Sequence, residues 1–392
     1  MLYIGIDVAS RKHDCCIMDG DGTILRENII IKNNIEGFDL LLSQIRSFSC
    51  KSNLSDAKIG LEATGHYNKN ITEFLRKHNL NVTVLNPLQV NLAQQADTLR
   101  KTRTDKAVAI FIAKMLFGIP LSSKKPMQNE IEELRELVRH RSRLVEMNAK
   151  FKVSVSRIIS IVFPELPEAV WSIHQKSCYA MLLEYPNAQA VAESHLTKLS
   201  NILKDNSKGK YGKSKAEKIR NLARNSIGSL NLSYAFELQQ TIRLIQNLQH
   251  EISLLDLRVR VIMDTLNSPI MTIPGISYRL GSVILAEIGN IHNFQNPNKL
   301  LKYAGLEPSV HESGTYKSTN EKMVKRGSKY LRWALLTATR LVSMRDHTFR
   351  VYSDKKKSEG KSFWVYSSHV ARKLVRVIFH LLKNNTSFVS QS

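Results

Sequence analysis

Residues 3–10 read YIGIDVAS and residues 58–67 read KIGLEATGHY. Each opens on an apolar run that closes on one carboxylate, Asp7 in the first and Glu62 in the second. Short apolar runs bounded by small residues are predicted as strands. A carboxylate amid apolar neighbours at a strand end is costly to bury unless it is paired or holds a metal. Asp7 and Glu62 are therefore the first candidates for chemistry, against the plainer reading that each is partly exposed at its strand end.

Working outward, His13 to Met18 reads as a second strand, Asp19-Gly20-Asp21-Gly22 as a turn, and Ile24 to Ile31 as the returning strand of a hairpin. Phe38, Leu41, Leu42 and Ile45 recur at helical spacing, Tyr67 to His78 reads as a helix, and Asn81 to Leu85 as another strand. A hairpin followed by alternating helices and strands predicts a mixed sheet flanked by helices. In LRKTRTDKAVAI, Asp105 stands where a basic polar stretch enters an apolar helix, and the helix dipole alone accounts for an acid there. Taken together, Asp7, Glu62 and Asp105 fit a template in which acids on adjacent strand ends and on a helix converge on Mg²⁺. Two such ions, about 4 Å apart, clamp the attacking and leaving oxygens of a phosphodiester.

Beyond Pro126 the pattern turns long and helical. Ile131, Leu134 and Val138 open a stripe that runs through Leu144, Phe151, Val155 and Ile158. A second stripe passes through Leu238, Ile242, Ile245, Leu248, Ile252, Leu255, Val259, Ile262 and Leu266 in steps of three and four. The pair is expected to form an antiparallel or intermolecular coiled coil. Between them, residues 206–215 (NSKGKYGKSK) read as an exposed basic loop, and GKYGKS lacks the four-residue gap of a nucleotide-binding P-loop. A chain of 392 residues holds two to three domains at about 150 residues each. The expected divisions are 1–125, 126–267 and 268–392.

The formal charge of +23 exceeds what solubility requires and points to a polyanion. Residues 301–392 hold 18 Lys and Arg against 6 Asp and Glu, a surplus of 12 in under a quarter of the chain. That end is the expected nucleic-acid face, with binding that weakens steeply with salt. Its cations include Lys322, Lys325, Arg326, Lys329, Arg332, Arg372, Lys373 and Arg376, with Tyr330, Trp333, Trp364 and other aromatics between them as either base-stacking groups or core. No apolar run reaches the roughly 18 residues that span a bilayer, so no membrane partner is expected. Met1 to Ser10 has no signal-peptide pattern, which predicts a cytoplasmic protein, and the four cysteines, without CxxC spacing, read as reduced thiols.

A weak phosphate-binding signal follows the second long helix: the IPGI turn (Ile273–Ile276) and the helix containing Gly281 resemble half of a helix-hairpin-helix. Joined to the motifs before and after it, the pattern resembles the IS110 family of transposases, including the bridge-RNA-guided recombinases. The motifs, in order, are YIGIDVAS, LEATG, the Thr104-Asp105 helix start, the long helices, IPGIS, YAGLEPSVHESGT and RGSKYLRWAL. The resemblance implies a RuvC-like N-terminal domain of RNase H fold, a helical coiled-coil segment and a mainly α transposase domain. It implies an Asp, Glu, Asp, Asp set binding Mg²⁺ or Mn²⁺, onto which Asp7, Glu62 and Asp105 fall. It also implies Ser313, in HESGT, as a nucleophile that forms a phosphoserine link to DNA; from pattern alone Ser313 is an ordinary turn serine. Target and donor DNA, a guide RNA and a dimer or tetramer with a composite site are the partners so implied.

One position departs from the family pattern. The second helix acid falls three residues after Asp105, where this chain has Val108. Neither Lys106 nor Ala107 can replace it, and Asp97 lies upstream. Losing one of four carboxylates lowers the charge available to a hard cation. Three readings stay open: a recombinase, a catalytically silent relative that still binds guide RNA and DNA, and a junction nuclease that uses the acids without Ser313.

Overall fold

Strand β1 (Leu2–Val8) buries nearly every side chain, so it can only be central, covered on both faces. In the computed structural model it is the middle strand of a five-stranded sheet of order β3-β2-β1-β4-β5. Strands β2 (Lys12–Met18) and β3 (Ile24–Lys32) run antiparallel to their neighbours, whereas β4 (Ala57–Glu62) and β5 (Asn81–Leu85) continue parallel from β1. This is the mixed sheet that the alternation predicts. The structure describes residues 1–48, 56–63, 65–97, 104–118, 127–308, 312–313, 316–317 and 323–390.

Two compact units divide the chain, Met1–Lys125 and Pro126–Ser392. In the first, α1 (Ile35–Phe48) and α2 (Asn68–Lys77) cover one face of the sheet, where Phe38, Leu41 and Ile45 meet Ile4, Ile6 and Leu61. After α3 (Pro87–Asp97), α4 (Asp105–Gly118) crosses the other face, packing Ala109, Ala113 and Leu116 on Tyr3, Cys16 and Met18. Helix α4 lies so close that a Cβ on Gly5 would stand 2.0 Å from the Ala109 carbonyl oxygen. The glycine of YIGID is thus what lets the helix sit directly on β1.

In the second unit, α5 (Asn129–Val162) and α11 (Leu232–Leu266) pack as an antiparallel pair within one chain. Ion pairs fix the direction: Glu133 meets Arg258, Arg141 meets Asp256, and Arg157 meets Glu237. The apolar stripe is buried at both ends of the pair, but Leu248, Ile252 and Leu255 in the middle are only half-buried. The reason is that each end belongs to a different core. One end joins α6 (Leu166–Ala169), α7 (Lys176–Glu184), α8 (Ala188–Glu193), α9 (Leu196–Asn206) and α10 (Lys213–Arg224) in a cluster that buries Phe163, Leu182 and Ile219. The other joins α12 (Tyr278–Ile288), α13 (Pro297–Ala304), α14 (Lys329–Arg345), α15 (His347–Ser358) and α16 (Phe363–Asn384), with a core of Ile284, Leu335 and Leu374. Between α13 and α14 in sequence, the short strands β6 (Glu312–Ser313) and β7 (Tyr316–Lys317) pair antiparallel. The basic stretch 206–215 is a turn only between α9 and α10; its last three residues begin a helix.

Candidate carboxylate and nucleic-acid sites

The register places the sheet acids. Ile6 pairs with Leu61, so the next residues along the parallel strands, Asp7 and Glu62, are neighbours at the strand ends. On the other side Asp7 stands opposite Asp14 of β2. Directly opposed residues share a face, so Asp14, Asp7 and Glu62 form one row across three adjacent strands, on the face that α4 covers. Asp14 and Glu62 are buried, and Asp7 is half-buried. Lys12 approaches Asp14 at 3.5 Å. Asp105 is exposed at the start of α4, one turn before the Ala109 that rests on Gly5.

Asp14 is the residue that the sequence reading missed. A hairpin closed by Val8 opposite His13 sets residue 7 opposite residue 14, so the signal was present in the strand spacing. Carboxylate oxygens are the donors that Mg²⁺ takes, and the row fits that chemistry in kind. Among the described residues, no group of three or more His, Cys, Asp and Glu side chains converges closely enough to hold an ion.

Val108 has a definite place. It is buried with Leu85, Val90, Phe111, Ile112 and Met115, and Leu85 pairs in register with Glu62. Position 108, where the resemblance implies an acid, is part of a small apolar core beside the strand that carries Glu62. Beneath the acids, His13 is fully buried and stacked on Phe38, its Nδ1 accepting from the Ala9 amide at 3.2 Å. Burial pushes its pKa below the usual histidine value, with Asn33 and Asp14 opposing. Burial raises the Cys16 and Cys178 thiols to about 11 and lifts Cys15 further, so all three are inert thiols. Cys50 lies outside the described residues.

The predicted cations of the C-terminal end divide by use. Lys325 and Arg326 are exposed in the segment before α14, and Lys329 opens that helix with its ammonium over the Tyr330 ring. Arg332 is half-buried and structural in part, donating through Nη1 to the Lys325 carbonyl at 2.9 Å and the Ala304 carbonyl at 3.3 Å. Arg372, Lys373 and Arg376 line α16, Lys373 lying over Tyr352. Trp333 and Trp364 expose 42% and 72% of their surface, which removes both from the core reading. Lys322 lies outside the described residues; of Ser313, the backbone is described, in β6, opposite Tyr316.

Two segments match known family profiles. Residues 4–164 match the transposase profile named DEDD_Tnp_IS110, and residues 267–354 match the transposases of the IS116/IS110/IS902 family. The chain belongs to the IS110 family of transposases. The transposase is 25% identical to the pilin gene-inverting protein of Moraxella bovis over 98% of its own length and 97% of that protein's. It is 22% identical to the insertion element IS116 protein of Streptomyces clavuligerus, covering 99% and 96% of the two chains. The transposase for insertion sequence element IS1111A of Coxiella burnetii is 28% identical over 31% of this chain and 30% of its own. The family acts on DNA, so this is a DNA-acting enzyme of the transposase and recombinase class. No helix of the described residues is long and apolar enough to cross a membrane.

Within this transposase, two motifs in the second matched segment serve the fold. Ser328 of RGSKYL caps α14 by accepting from the Leu331 amide, and its hydroxyl donates to Glu287 at 2.6 Å. Glu287 is fully buried and takes two further bonds from Arg139, at 2.7 and 3.1 Å, while Arg135 donates to the Ala286 carbonyl. The pairing raises the Arg139 pKa further. This clamp joins α5, α12 and α14. The IPGI turn is equally tight: Gly275 has φ +95°, and a Cβ there would meet the Leu341 backbone at 2.7 Å. The turn is packed on α14 with Ile273 and Ile276 buried.

Proposed function

We propose that this transposase is a bridge-RNA-guided DNA recombinase of an insertion element, cutting and rejoining target and donor DNA through Ser313. The observation that carries the reading is the pairing of Asp7 with Glu62 at the ends of adjacent parallel strands under α4, which begins with Asp105. The strand order 3-2-1-4-5, with β2 running opposite to the other four strands, supports an RNase H-like, RuvC-like sheet for the acids. Asp7, Glu62 and Asp105 would hold Mg²⁺ or Mn²⁺, which when bound supplies a Lewis acid for phosphoryl oxygens.

The residues of the chain do the rest. The Ser313 hydroxyl attacks phosphorus, one P–O bond of the DNA backbone breaks, and the departing oxygen takes up a proton as the serine loses its own. The phosphoserine ester conserves the bond energy, so attack by a DNA hydroxyl on that ester rejoins strands and frees the serine without nucleotide hydrolysis. The net charge of +23 supports a nucleic-acid substrate and a guide RNA. Leu254, Leu257 and Val261, exposed at three- and four-residue intervals on α11, support a dimer or tetramer built on the helix pair as a coiled coil. The composite site would take its acids from one protomer and Ser313 from another, in the cytoplasm beside the nucleoid.

Val108 favours a second reading, a silent relative that binds guide RNA and DNA without cutting. Trapping decides between them. In the presence of Mg²⁺ a covalent protein–DNA adduct is expected from the wild type and lost in Ser313→Ala. Cleavage that persists in Ser313→Ala would make the protein a nuclease, and absence of any cleavage in the wild type would leave the silent binder.

A further inference from the structure

We propose that a cationic trough along α16 holds an unpaired nucleotide of the DNA strand, with its base on Trp364 and its phosphate between His369 and Arg376. The trough consists of two adjoining cavities. One, of about 870 Å³, is lined among others by Lys325, Arg332, Lys361, Trp364, His369 and Arg372. The second, of about 520 Å³, shares His369 and Arg372 and adds Lys373 and Arg376. Residues 365, 368, 369, 372, 373 and 376 recur every three to four positions, so one stripe of the helix forms the floor. Its opposite stripe, through Ala371, Leu374 and Ile378, is core.

Charge selects the ligand class. Six cations line the two cavities, and no Asp or Glu is among the described residues that do so. Glu359, which meets the lining residue Lys361 at 3.3 Å, is also engaged by Lys356 at 2.7 Å. Arg372, which walls both cavities, has a buried Nε with no hydrogen-bond partner. Leaving a cationic donor buried and unbonded is unfavourable, and an acceptor oxygen seated beside it removes that cost. His369 feels the same field: after burial, Lys361 and Arg372 push its pKa down. A phosphate is the small anion that relieves both groups while neutralising Lys373 and Arg376.

Shape and surroundings narrow the choice further. Trp364 leaves 72% of its surface open at one end, an apolar plane of the kind on which bases stack. Ligand pockets run from about 300 to 1,000 Å³, so the larger cavity admits one nucleotide and excludes a duplex. Pro308 and Met323, which also line it, form an isolated antiparallel bridge, with β6 and β7 between them in sequence. Ser313 of β6 lies in the chain between these two lining residues. The assignment to DNA, in place of any other polynucleotide, rests on the reading of Ser313 as the DNA nucleophile.

The test measures binding of a fluorescein-labelled dT4 to the full chain by anisotropy, beside a short duplex and rU4. Trp364→Ala is expected to weaken dT4 about tenfold and Trp364→Phe far less. Arg372→Gln is expected to weaken dT4 about tenfold, and both losses are expected to be under twofold for the duplex. A dT4 carrying 5-iododeoxyuridine should photo-cross-link to the α16 peptide that contains Trp364. Equal losses for dT4 and duplex, no loss in either variant, or a cross-link elsewhere would overturn the site; rU4 bound more tightly with the same losses would overturn the assignment to DNA. A missing DNA adduct in the wild type refutes the serine reading and with it the assignment to DNA, whereas the dT4 losses and the cross-link judge the trough itself.

Discussion

Replacing Arg139 by Leu would strand a charge in the interior. Glu287 is 0% exposed and accepts two charge-assisted hydrogen bonds from Arg139; in the variant only Ser328 would remain to it. Breaking a buried pair by removing one partner costs about 3–5 kcal/mol. The Arg139 side chain is 35% exposed, so water can partly take its place and the lower figure of about 3 kcal/mol applies. At about 2 °C per kcal/mol for a unit of this size, the transition that melts Pro126–Ser392 should fall by about 6 °C in calorimetry. Adding Glu287→Leu removes the stranded carboxylate and should recover most of that loss. Raising the salt to about 1 M, where the screening length is about 3 Å, should not reproduce it in the wild type, because the pair is shielded from solvent ions. A fall of less than about 2 °C for Arg139→Leu, or a double variant less stable than the single one, would refute the argument that α5, α12 and α14 are locked by this clamp.

Two further outcomes are expected. Val108→Asp places a carboxylate among Leu85, Val90 and Phe111, so without metal the variant should melt at a lower temperature than the wild type; Mg²⁺ should restore part of that loss and raise DNA cleavage, and a variant whose stability and cleavage both ignore Mg²⁺ would sink the idea that residue 108 borders the acid site. His13 is held neutral by burial, with its folded pKa below the unfolded value of 6.5. The stability it contributes is complete above that pH and is lost as the pH falls through it, because only the unfolded chain takes up the proton freely. Urea midpoints measured at pH 7.5 and 5.5 should therefore drop further for the wild type than for His13→Gln, and equal drops would show that His13 is not the group responsible.

Much of this was legible in local pattern. The apolar runs ending in Asp7 and Glu62, the hairpin after Met18 and the apolar stripes of α5 and α11 each announce themselves, because side-chain period reports which face of an element is buried. The motifs quoted from both ends led to the family. Local period carries no record of which strand lies beside which, and that is where the reading stopped. Pairing Ile6 with Leu61 is a long-range event, so the Asp7–Asp14 hairpin pair, itself legible in the strand spacing, joined Glu62 in a row of three acids only when the sheet was assembled. Val108 likewise is one apolar residue in an apolar helix until Leu85 and Val90 close over it.

The second unit makes the same division. Its sequence determined two long helices and a strongly basic end, since helical period and net charge are properties of the chain itself. Which cations remain free for a phosphate, and which are spent on the fold, was decided by tertiary packing alone. Arg139 and Arg332 are drawn into carboxylate and carbonyl contacts, while Arg372 keeps a buried, unbonded Nε beside an open tryptophan. The physical reason is that a charged side chain's role depends on the neighbours that desolvate and pair it, and these arrive from helices far apart in the chain.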